Sequence, residues 1–219
     1  MNDGALRPTK PALEASRRCP EPGEGQPPVS RGDFVALRRT PRDRRRPQLY
    51  QRLLGPAFAR LPHSVRRFHM RPGGMAEFDM EVTYAPGLLR RALCALLRLP
   101  APSARTPGRL IVTVQNDREI WERIFPDTNL RTVHWIDGRH LVEETGPLQF
   151  LFDVDASERG LRFTSIACRL FGVPLPRALI PRIDAAVHGQ GRGWHLRVSI
   201  AVPLLGRLAT YGGGVTPLL

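Results

Sequence analysis

The chain has 219 residues, of which 20 are glycine and 22 are proline, and this load of structure-interrupting residues argues against an all-helical bundle. Its three cysteines have no paired spacing, which excludes a disulfide scaffold and a zinc ribbon. No stretch approaches the ~18 apolar residues of a membrane-spanning helix, and the N-terminus has no apolar run typical of a secretory signal. We therefore predict a mixed, cytoplasmic domain with a tail.

The formal net charge of +13 raises the question of nucleic-acid binding. The basic excess is spread along the chain, however, with net charges of +5 in residues 1–50 and +8 in residues 51–219. A dense arginine cluster lies at residues 42–46, but it has no interleaved aromatic residues on which bases would stack. We expect no specific nucleic-acid binding. The cluster is interpreted as part of a solvated tail, with peripheral contact to an anionic membrane as the alternative.

The first 47 residues are predicted to be a disordered tail, because eight prolines and six large apolar residues cannot offset the entropy of ordering them. Residues 48–219 are predicted to form a single domain. It begins with an amphipathic helix over residues 49–61, whose apolar residues recur at helical spacing. A second, short helix is expected to run towards His69.

Apolar and polar residues then alternate over residues 77–84, which predicts a strand with one face towards the core. Pro86 is predicted to open a leucine-rich helix, which either packs on the sheet or lies at a membrane interface or cavity mouth. A proline-rich loop is expected at residues 100–107. Beyond it the chain is predicted to be mostly strands joined by tight turns.

Two features near the C-terminus complete the secondary-structure prediction. Residues 175–187 are predicted to form a helix weakened by two prolines, and residues 194–202 are predicted to form the final strand. The chain would then contain seven or eight strands. Short links favour antiparallel pairing, because parallel units need helical crossovers that the pattern lacks. The predicted fold is α+β: a predominantly antiparallel, strongly curved sheet or partial barrel with two or three helices packed on one face. Such a sheet often encloses a cavity.

Residues 117–125, DREIWERIF, form the densest polar cluster. In an extended conformation Asp117, Glu119, Trp121 and Arg123 share one side. Two carboxylates beside an arginine could serve as acid, base and anion anchor, which makes Asp117, Glu119 and Arg123 candidate catalytic residues. The alternative is a hairpin with cross-strand salt bridges and a core tryptophan.

Two further groups of carboxylates are candidates for chemistry. Glu143 and Glu144 precede a Gly-Pro turn, and a carboxylate held near apolar groups would work as a base, whereas a solvent-facing pair would not. Glu77, Asp79 and Glu81 line one face of a strand and could form a hard-metal site. The alternative is that these three are neutralised by opposing arginines, and the candidates for that role are Arg162 and Arg197.

The histidines and cysteines give little support for a metal site. No histidine pair has zinc-enzyme spacing, and we expect no bound metal. His134 and His140 flank a predicted turn at Asp137–Gly138 and could face each other across it, either as a chance pair or as ligands. Cys94 and Cys168 lie in apolar stretches and are predicted to be buried and inert.

Several stretches, taken together and in order, resemble the bacterial domain of unknown function 4166 family (DUF4166) over residues 49–218. The matching stretches are LYQRLLGPAFARLP, DREIWERIF, EETGPL, FGVPLPRALIPR and PLLGRLATYGG. The resemblance implies an accessory or ligand-holding role near metabolism or the membrane. Family members look like stand-alone domains or C-terminal extensions of oxidoreductases similar to saccharopine dehydrogenase. Because this chain has no dinucleotide-binding half, we expect no nicotinamide or other cofactor.

Three functional hypotheses follow. The first is a non-catalytic domain that binds an apolar or amphipathic small molecule in a cavity lined by Phe150, Phe152, Leu161 and Trp194. Its candidate ligand-binding residues are Trp121, Arg123, Glu143 and Trp194. The second is a hydrolase- or isomerase-like enzyme that uses Asp117 or Glu119 with Arg123. The third is a module that docks on an oxidoreductase or an anionic membrane through its arginines.

Overall fold

The computed structural model describes residues 47–218. The predicted tail, the arginine cluster at residues 42–46 and Cys19 lie outside these residues. The described helices are α1 (Leu49–Leu54), α2 (His63–His69) and α3 (Leu88–Leu96), with 3-10 turns at Gly55–Arg60 and Arg177–Leu179. The strands are β1 (Gly74–Tyr84), β2 (Ser103–Gln115), β3 (Arg118–Ile124), β4 (Asn129–Asp137), β5 (His140–Thr145), β6 (Leu148–Ser157), β7 (Gly160–Leu170), β8 (Val173–Pro174), β9 (Arg182–Gln190), β10 (Gly193–Val202) and β11 (Gly206–Leu218).

Ten of these strands form a closed antiparallel barrel. The ten barrel strands pair in chain order, so that β9 follows β7 in the ring, and the short β8 pairs with the end of β7. The ring closes where β1 pairs with β11. The prediction of a strongly curved antiparallel sheet with helices is therefore confirmed, and the curvature goes to full closure. Short hairpin turns produce this meander, because adjacent antiparallel strands need few connecting residues.

The two ends of the barrel differ. We call the end at which α1, the first 3-10 turn and α2 lie the plug end, because α1 contacts β4 and β6 while α2 contacts β9 and β10. Tyr50, Phe68 and His69 enter the core there, with the rings of Phe68 and Trp194 4.9 Å apart. These helices bury their apolar faces inside the barrel, which fixes them across the opening.

We call the opposite end the mouth end. It contains α3, the turn at residues 203–205 and the connection at residues 171–181. The Arg90 Nε donates a hydrogen bond of 3.1 Å to the Leu205 carbonyl, and the Tyr84 hydroxyl donates one of 3.0 Å to the Leu99 carbonyl. These bonds hold α3 at the rim, where Cys94 is fully buried. No helix among residues 47–218 is long and apolar enough to cross a membrane.

Three secondary-structure predictions in the N-terminal half of the domain are wrong. The helix over residues 49–61 is divided at Gly55, whose φ of 52° ends α1 before a 3-10 turn. The leucine-rich helix begins at Leu88 and not at Pro86. The loop at residues 100–107 is shorter than predicted, since β2 already begins at Ser103 and pairs with β1.

The largest errors lie near the C-terminus. Residues 175–187 contain a 3-10 turn followed by β9, because Pro176 and Pro181 interrupt a helix and the remaining residues find strand partners on both sides. Residues 194–202 are not the final strand, since β11 follows them. The consecutive glycines at residues 212–214 conceal β11 in the sequence, because glycine is depleted in strands.

Closure at the β1–β11 seam requires glycine at one position, and this gives a first prediction. A Cβ added to Gly213 would lie 1.9 Å from the Asp79 carbonyl oxygen, whereas one added to Gly214 would meet nothing within 4 Å. Gly213→Ala should therefore lower the free energy of unfolding by at least about 2 kcal/mol, because the seam must separate to admit the methyl group. Urea unfolding followed by far-ultraviolet circular dichroism measures this difference.

The neighbouring substitution Gly214→Ala is the matched control. It should leave stability within about 1 kcal/mol of wild type or raise it, because alanine loses less backbone entropy than glycine on folding. Equal destabilisation by the two substitutions would contradict the close approach of β11 to β1.

Candidate functional site

The barrel contains a cavity of about 170 Å³ between the plug and α3. Lining residues near the plug, such as Tyr50 and Trp194, are buried, whereas those near the rim, such as Leu97, Leu99 and Pro181, are partly exposed. The cavity is therefore closed at the plug end and leads towards the mouth end.

Most of the cavity wall is apolar. Alternate residues of the strands point inwards, and the four residues that the sequence placed in a cavity wall all line it: Phe150, Phe152, Leu161 and Trp194. The period-2 pattern of β6 accounts for the first two, since one face of that strand is continuously apolar. Such a wall accepts an apolar body without requiring hydrogen bonds from it.

One side of the wall is polar. It is formed by Arg123 on β3, Thr132 and His134 on β4, and Glu143 on β5, and we call these four residues the polar network. Antiparallel register brings them together, because His134 is the direct cross-strand partner of Glu143. The Arg123 Nη1 donates a hydrogen bond of 3.1 Å to Thr132 Oγ1, and His134 Nε2 lies 3.0 Å from that same oxygen and 3.3 Å from Glu143 Oε2.

Arg123 has more donors than the protein uses. A guanidinium carries five N–H groups in a planar fork. Among the described residues Thr132 provides its one hydrogen-bond acceptor, and the guanidinium carbon also lies 5.5 Å from the centre of the Trp121 ring. The remaining N–H groups of this cavity-lining cation are therefore available to an acceptor that enters the cavity.

His134 is closely packed and buried within the network. Its ring stacks on that of Trp121 with centroids 5.2 Å apart and an interplanar angle of 19°, and the residue is 3 % exposed. Its Nδ1 atom has no hydrogen-bond partner among residues 47–218. A buried ring nitrogen without a partner is costly, so this atom is a second polar group that an occupant of the cavity could satisfy.

Glu143 is held in its ionised form by this network. Burial by itself raises the pKa of Glu143, but the nearby charges of His134 and Arg123 and the hydrogen bond from His134 outweigh it, so the pKa lies below its ordinary value. Glu143 therefore carries a negative charge that is compensated inside the cavity by its neighbours on β4 and β3.

Glu119 lies on the same face of β3 as Trp121 but nearer the plug end. It is 4 % exposed and accepts a hydrogen bond of 3.0 Å from Trp121 Nε1. Burial raises the pKa of Glu119, although the hydrogen bond from Trp121 and the charges of His134 and Arg52 partly oppose this. Glu119 therefore supports the position of the Trp121 ring.

The structure separates the candidate residues of the polar cluster. Asp117 occupies the β2–β3 turn with a φ of 64°, and its carboxylate lies 3.9 Å from Arg52 on the outside of the barrel. Trp121, Arg123 and Glu143 come together at the polar side of the cavity, and Trp194 lines the cavity near the plug. Asp117, Glu119 and Arg123 are therefore not gathered round one point.

Two carboxylates of the acidic strand face, those of Glu77 and Asp79, pair with arginines other than those predicted. The Arg105 Nε lies 2.5 Å from Asp79 Oδ2, and Arg109 Nη2 lies 3.9 Å from Glu77 Oε1. Both arginines lie on β2, the neighbour of β1, whereas the predicted Arg162 is the cross-strand partner of Asp155. No group of three metal-ligating side chains occurs among residues 47–218.

The suggested pairing of His134 with His140 is wrong. His134 points into the barrel, whereas the His140 Nδ1 lies 2.8 Å from Asp153 Oδ1 on the next hairpin. The two side chains point to opposite faces because the hairpin pairs His134 with Glu143 and His140 with Asp137. Glu144, the neighbour of Glu143, points outwards and accepts a hydrogen bond of 2.8 Å from Gln149 Nε2.

Sequence reasoning missed part of the site. Thr132 and His134 occupy positions where the strand pattern calls for apolar residues, and a polar residue on an inward face is a signal of a buried network. Tyr50 and His69 come from the plug helices, and no local pattern places them beside Trp121, where the His69 ring centroid lies at 5.8 Å.

The buried His69 makes stability depend on pH, which is a second prediction. Burial and the nearby His134 lower the pKa of His69 from 6.5 to about 3. Between these values the unfolded chain binds a proton that the native protein does not, so stability falls as the pH drops from 6.5 towards 3. Across this window the free energy of unfolding of the His69→Phe variant should fall by up to about 1.4 kcal/mol less per pH unit than that of wild type.

Urea unfolding at several pH values between 4 and 7 measures this slope. The same substitution at the exposed His195 controls for the removal of one imidazole. The variant should still lose some stability in acid, and Glu143 should contribute to this loss. Because the pKa of Glu143 is lowered in the native protein, the stabilisation that it provides disappears as the pH falls through that pKa. An unchanged slope in the His69→Phe variant would show that His69 is not buried in its neutral form.

Comparison with known protein families identifies the family to which the chain belongs. The model of one protein family, described as Domain of unknown function (DUF4166), matches residues 61–215. Comparisons with curated proteins and with solved structures return no match. The match includes all ten barrel strands, apart from the last residues of β11, together with α2 and α3, but it begins after α1. Because the match covers most of the chain, this ten-stranded barrel belongs to the DUF4166 family.

Proposed function

We propose that the barrel is a binding domain for an amphipathic small molecule with an apolar body and a carboxylate or similar anionic group. The observation that carries the proposal is the set of unused N–H donors on Arg123 within a cavity that is otherwise mainly apolar. An apolar body would contact the aromatic wall, and the anionic group would lie at the polar network. Planar two-point recognition of a carboxylate is the interaction for which a guanidinium is best suited.

The size of the cavity limits the ligand. Its volume of about 170 Å³ is close to the roughly 150 Å³ of an engineered protein cavity that binds benzene. Sites for drug-sized ligands are larger, at roughly 300–1,000 Å³. The ligand should therefore have a body of one or two rings, or a short alkyl chain, with any longer portion leading out through the mouth end.

The charges inside the cavity favour an anion over a cation. Glu143 Oε2 lies 3.3 Å from His134 Nε2, whereas the Arg123 guanidinium acts on Glu143 from a greater distance and has no carboxylate within 4.0 Å among the described residues. A ligand carboxylate would therefore form the close ion pair that Arg123 lacks. A ligand cation would have to displace His134 from Glu143 and would lie close to the Arg123 guanidinium, which repels it.

A comparison of matched ligands tests this proposal and gives a third prediction. Calorimetric titration with 1-naphthoate and with 1-naphthalenemethanol compares an acid and an alcohol that share one apolar skeleton. The acid should bind about 10- to 100-fold more tightly, because a hydrogen bond to a charged group is worth about 1.5–3 kcal/mol. The Arg123→Gln variant should lose this preference while it still binds the alcohol.

Two variants control the experiment. Arg109→Gln removes an arginine on the outside of the barrel and should leave both affinities unchanged. Ala185 lines the cavity, so Ala185→Phe places a ring inside it and should weaken the binding of both ligands. Absence of binding of either compound at millimolar concentration, or an acid preference that survives Arg123→Gln, would refute the proposal.

The contact between His134 and Glu143 favours a second candidate, an enzyme of the hydrolase or isomerase type. A histidine and a carboxylate 3.3 Å apart in a cavity can move a proton to and from a bound molecule, with Arg123 anchoring an anionic group. In this candidate His134 and Glu143 replace Asp117 and Glu119, because Asp117 lies outside the cavity.

A fourth prediction distinguishes the two candidates. Small molecules that copurify with the protein are identified by native mass spectrometry and incubated with fresh protein, and their products are followed by nuclear magnetic resonance. The binding proposal expects the molecule to be recovered unchanged. Conversion by wild type that is lost in Glu143→Gln but retained in Glu144→Gln would establish the enzyme instead, since Glu144 points away from the cavity.

A further inference from the structure

The mouth end exposes large apolar side chains on three connections that are neighbours round the rim. Leu88 and Leu89 on α3 are 86 % and 60 % exposed, Leu204 in the β10–β11 turn is 96 % exposed, and Phe171 after β7 is 81 % exposed. The barrel order places these connections side by side, since β1, β11, β10, β9 and β7 are consecutive in the sheet. Single exposed apolar residues are normal, but several at one end of a molecule mark an interaction surface.

Two of these side chains occupy positions that would ordinarily suit other residues. Phe171 and Gly172 form the two-residue turn between β7 and β8, with φ values of 50° and 80°. Such a turn favours Asn-Gly, because both central residues have left-handed backbone. Leu204 has a φ of 66° at the tip of its own turn. At both tips a large apolar residue occupies a position where an asparagine would fit the backbone better.

The charge of these connections indicates what covers the surface. Residues 85–102, 171–181 and 203–205 contain four arginines and no aspartate or glutamate. Arg90 donates hydrogen bonds to the Leu205 carbonyl, whereas Arg91, Arg98 and Arg177 are exposed on the same connections as the apolar residues of α3 and Phe171. Apolar tips with cations beside them match a bilayer whose headgroups are anionic, since the tips enter the interface and the cations remain among the phosphates.

We propose that the mouth end docks on an anionic lipid surface, with Phe171, Leu204 and the first turn of α3 inserted at the headgroup level. Separate protruding tips suit a fluid bilayer, because lipids adapt to them without the continuous complementary shape that a protein partner requires. In this orientation the mouth of the cavity faces the membrane. The proposal goes beyond ligand binding and can be tested without any cavity ligand.

Cosedimentation with vesicles tests the docking proposal and is the fifth prediction. Wild type should bind vesicles of equal parts phosphatidylglycerol and phosphatidylcholine at least tenfold more tightly than vesicles of phosphatidylcholine alone. The double variant Phe171→Asn with Leu204→Asn should lose at least tenfold of that affinity. Its melting temperature should not fall, because asparagine accepts left-handed backbone more readily than the residues it replaces.

Matched variants separate the proposal from its competitors. Met70→Asn with Met75→Asn changes two exposed apolar residues near the plug end and should leave vesicle binding unchanged. Arg91→Gln with Arg177→Gln should reduce the preference for anionic vesicles. Arg123→Gln should bind vesicles like wild type, so that failure of docking and failure of ligand binding remain distinguishable.

Three results would overturn the docking proposal. One is that wild type fails to sediment with the anionic vesicles, which would leave docking on a protein such as an oxidoreductase as the competing occupant. Another is that the Phe171→Asn, Leu204→Asn variant binds as well as wild type. The third is that wild type is dimeric in sedimentation velocity while this variant is monomeric, which would assign the surface to a second copy of the chain.

Discussion

The antiparallel pairing of β1 with β11 joins the first strand to the last and closes the sheet into a ring. The cavity exists only because that ring is closed. All other strand pairs are between near neighbours in the chain and would form an open, curved sheet without it. Closure brings β11 so near to β1 that Gly213 has no room for a side chain. It also removes the exposed sheet edges that would otherwise pair with other chains.

Within the closed barrel, the plug determines which end of the cavity is accessible. Tyr50 and His69 fill the space beside Trp121, with the Tyr50 and His69 ring centroids 4.1 Å apart, so the interior there is both aromatic and fully buried. The same burial keeps His69 neutral and favours the un-ionised form of Tyr50, whose pKa is raised by burial and by the charges of Glu119 and Glu143. Stability at the plug end therefore depends on pH, while access is confined to the mouth end.

The polar network and the rim would complement each other in a single activity. Arg123 provides a cation inside the cavity, and the exposed tips at Phe171 and Leu204 surround the side from which a ligand would enter. A small amphipathic acid partitions into membrane interfaces with its apolar part in the lipid. A barrel docked there would accept such a molecule by its apolar body and would hold its anionic group at the polar network. Each part can nevertheless fail independently, since one rests on Arg123 and the other on the rim.

The sequence by itself determined the antiparallel class, the inward faces of β1, β4, β6 and β10, and the burial of Cys94 and Cys168, because period-2 alternation is a local property of a strand. It also singled out Trp121, Arg123 and Glu143 as polar or aromatic residues on strands. Only the tertiary structure decided that β9 and β11 are strands, since proline and glycine weaken their patterns and partners on both sides stabilise them. Tertiary structure likewise decided that His134 meets Glu143 while Asp117 remains outside, because a one-residue change of register reverses which face a side chain occupies.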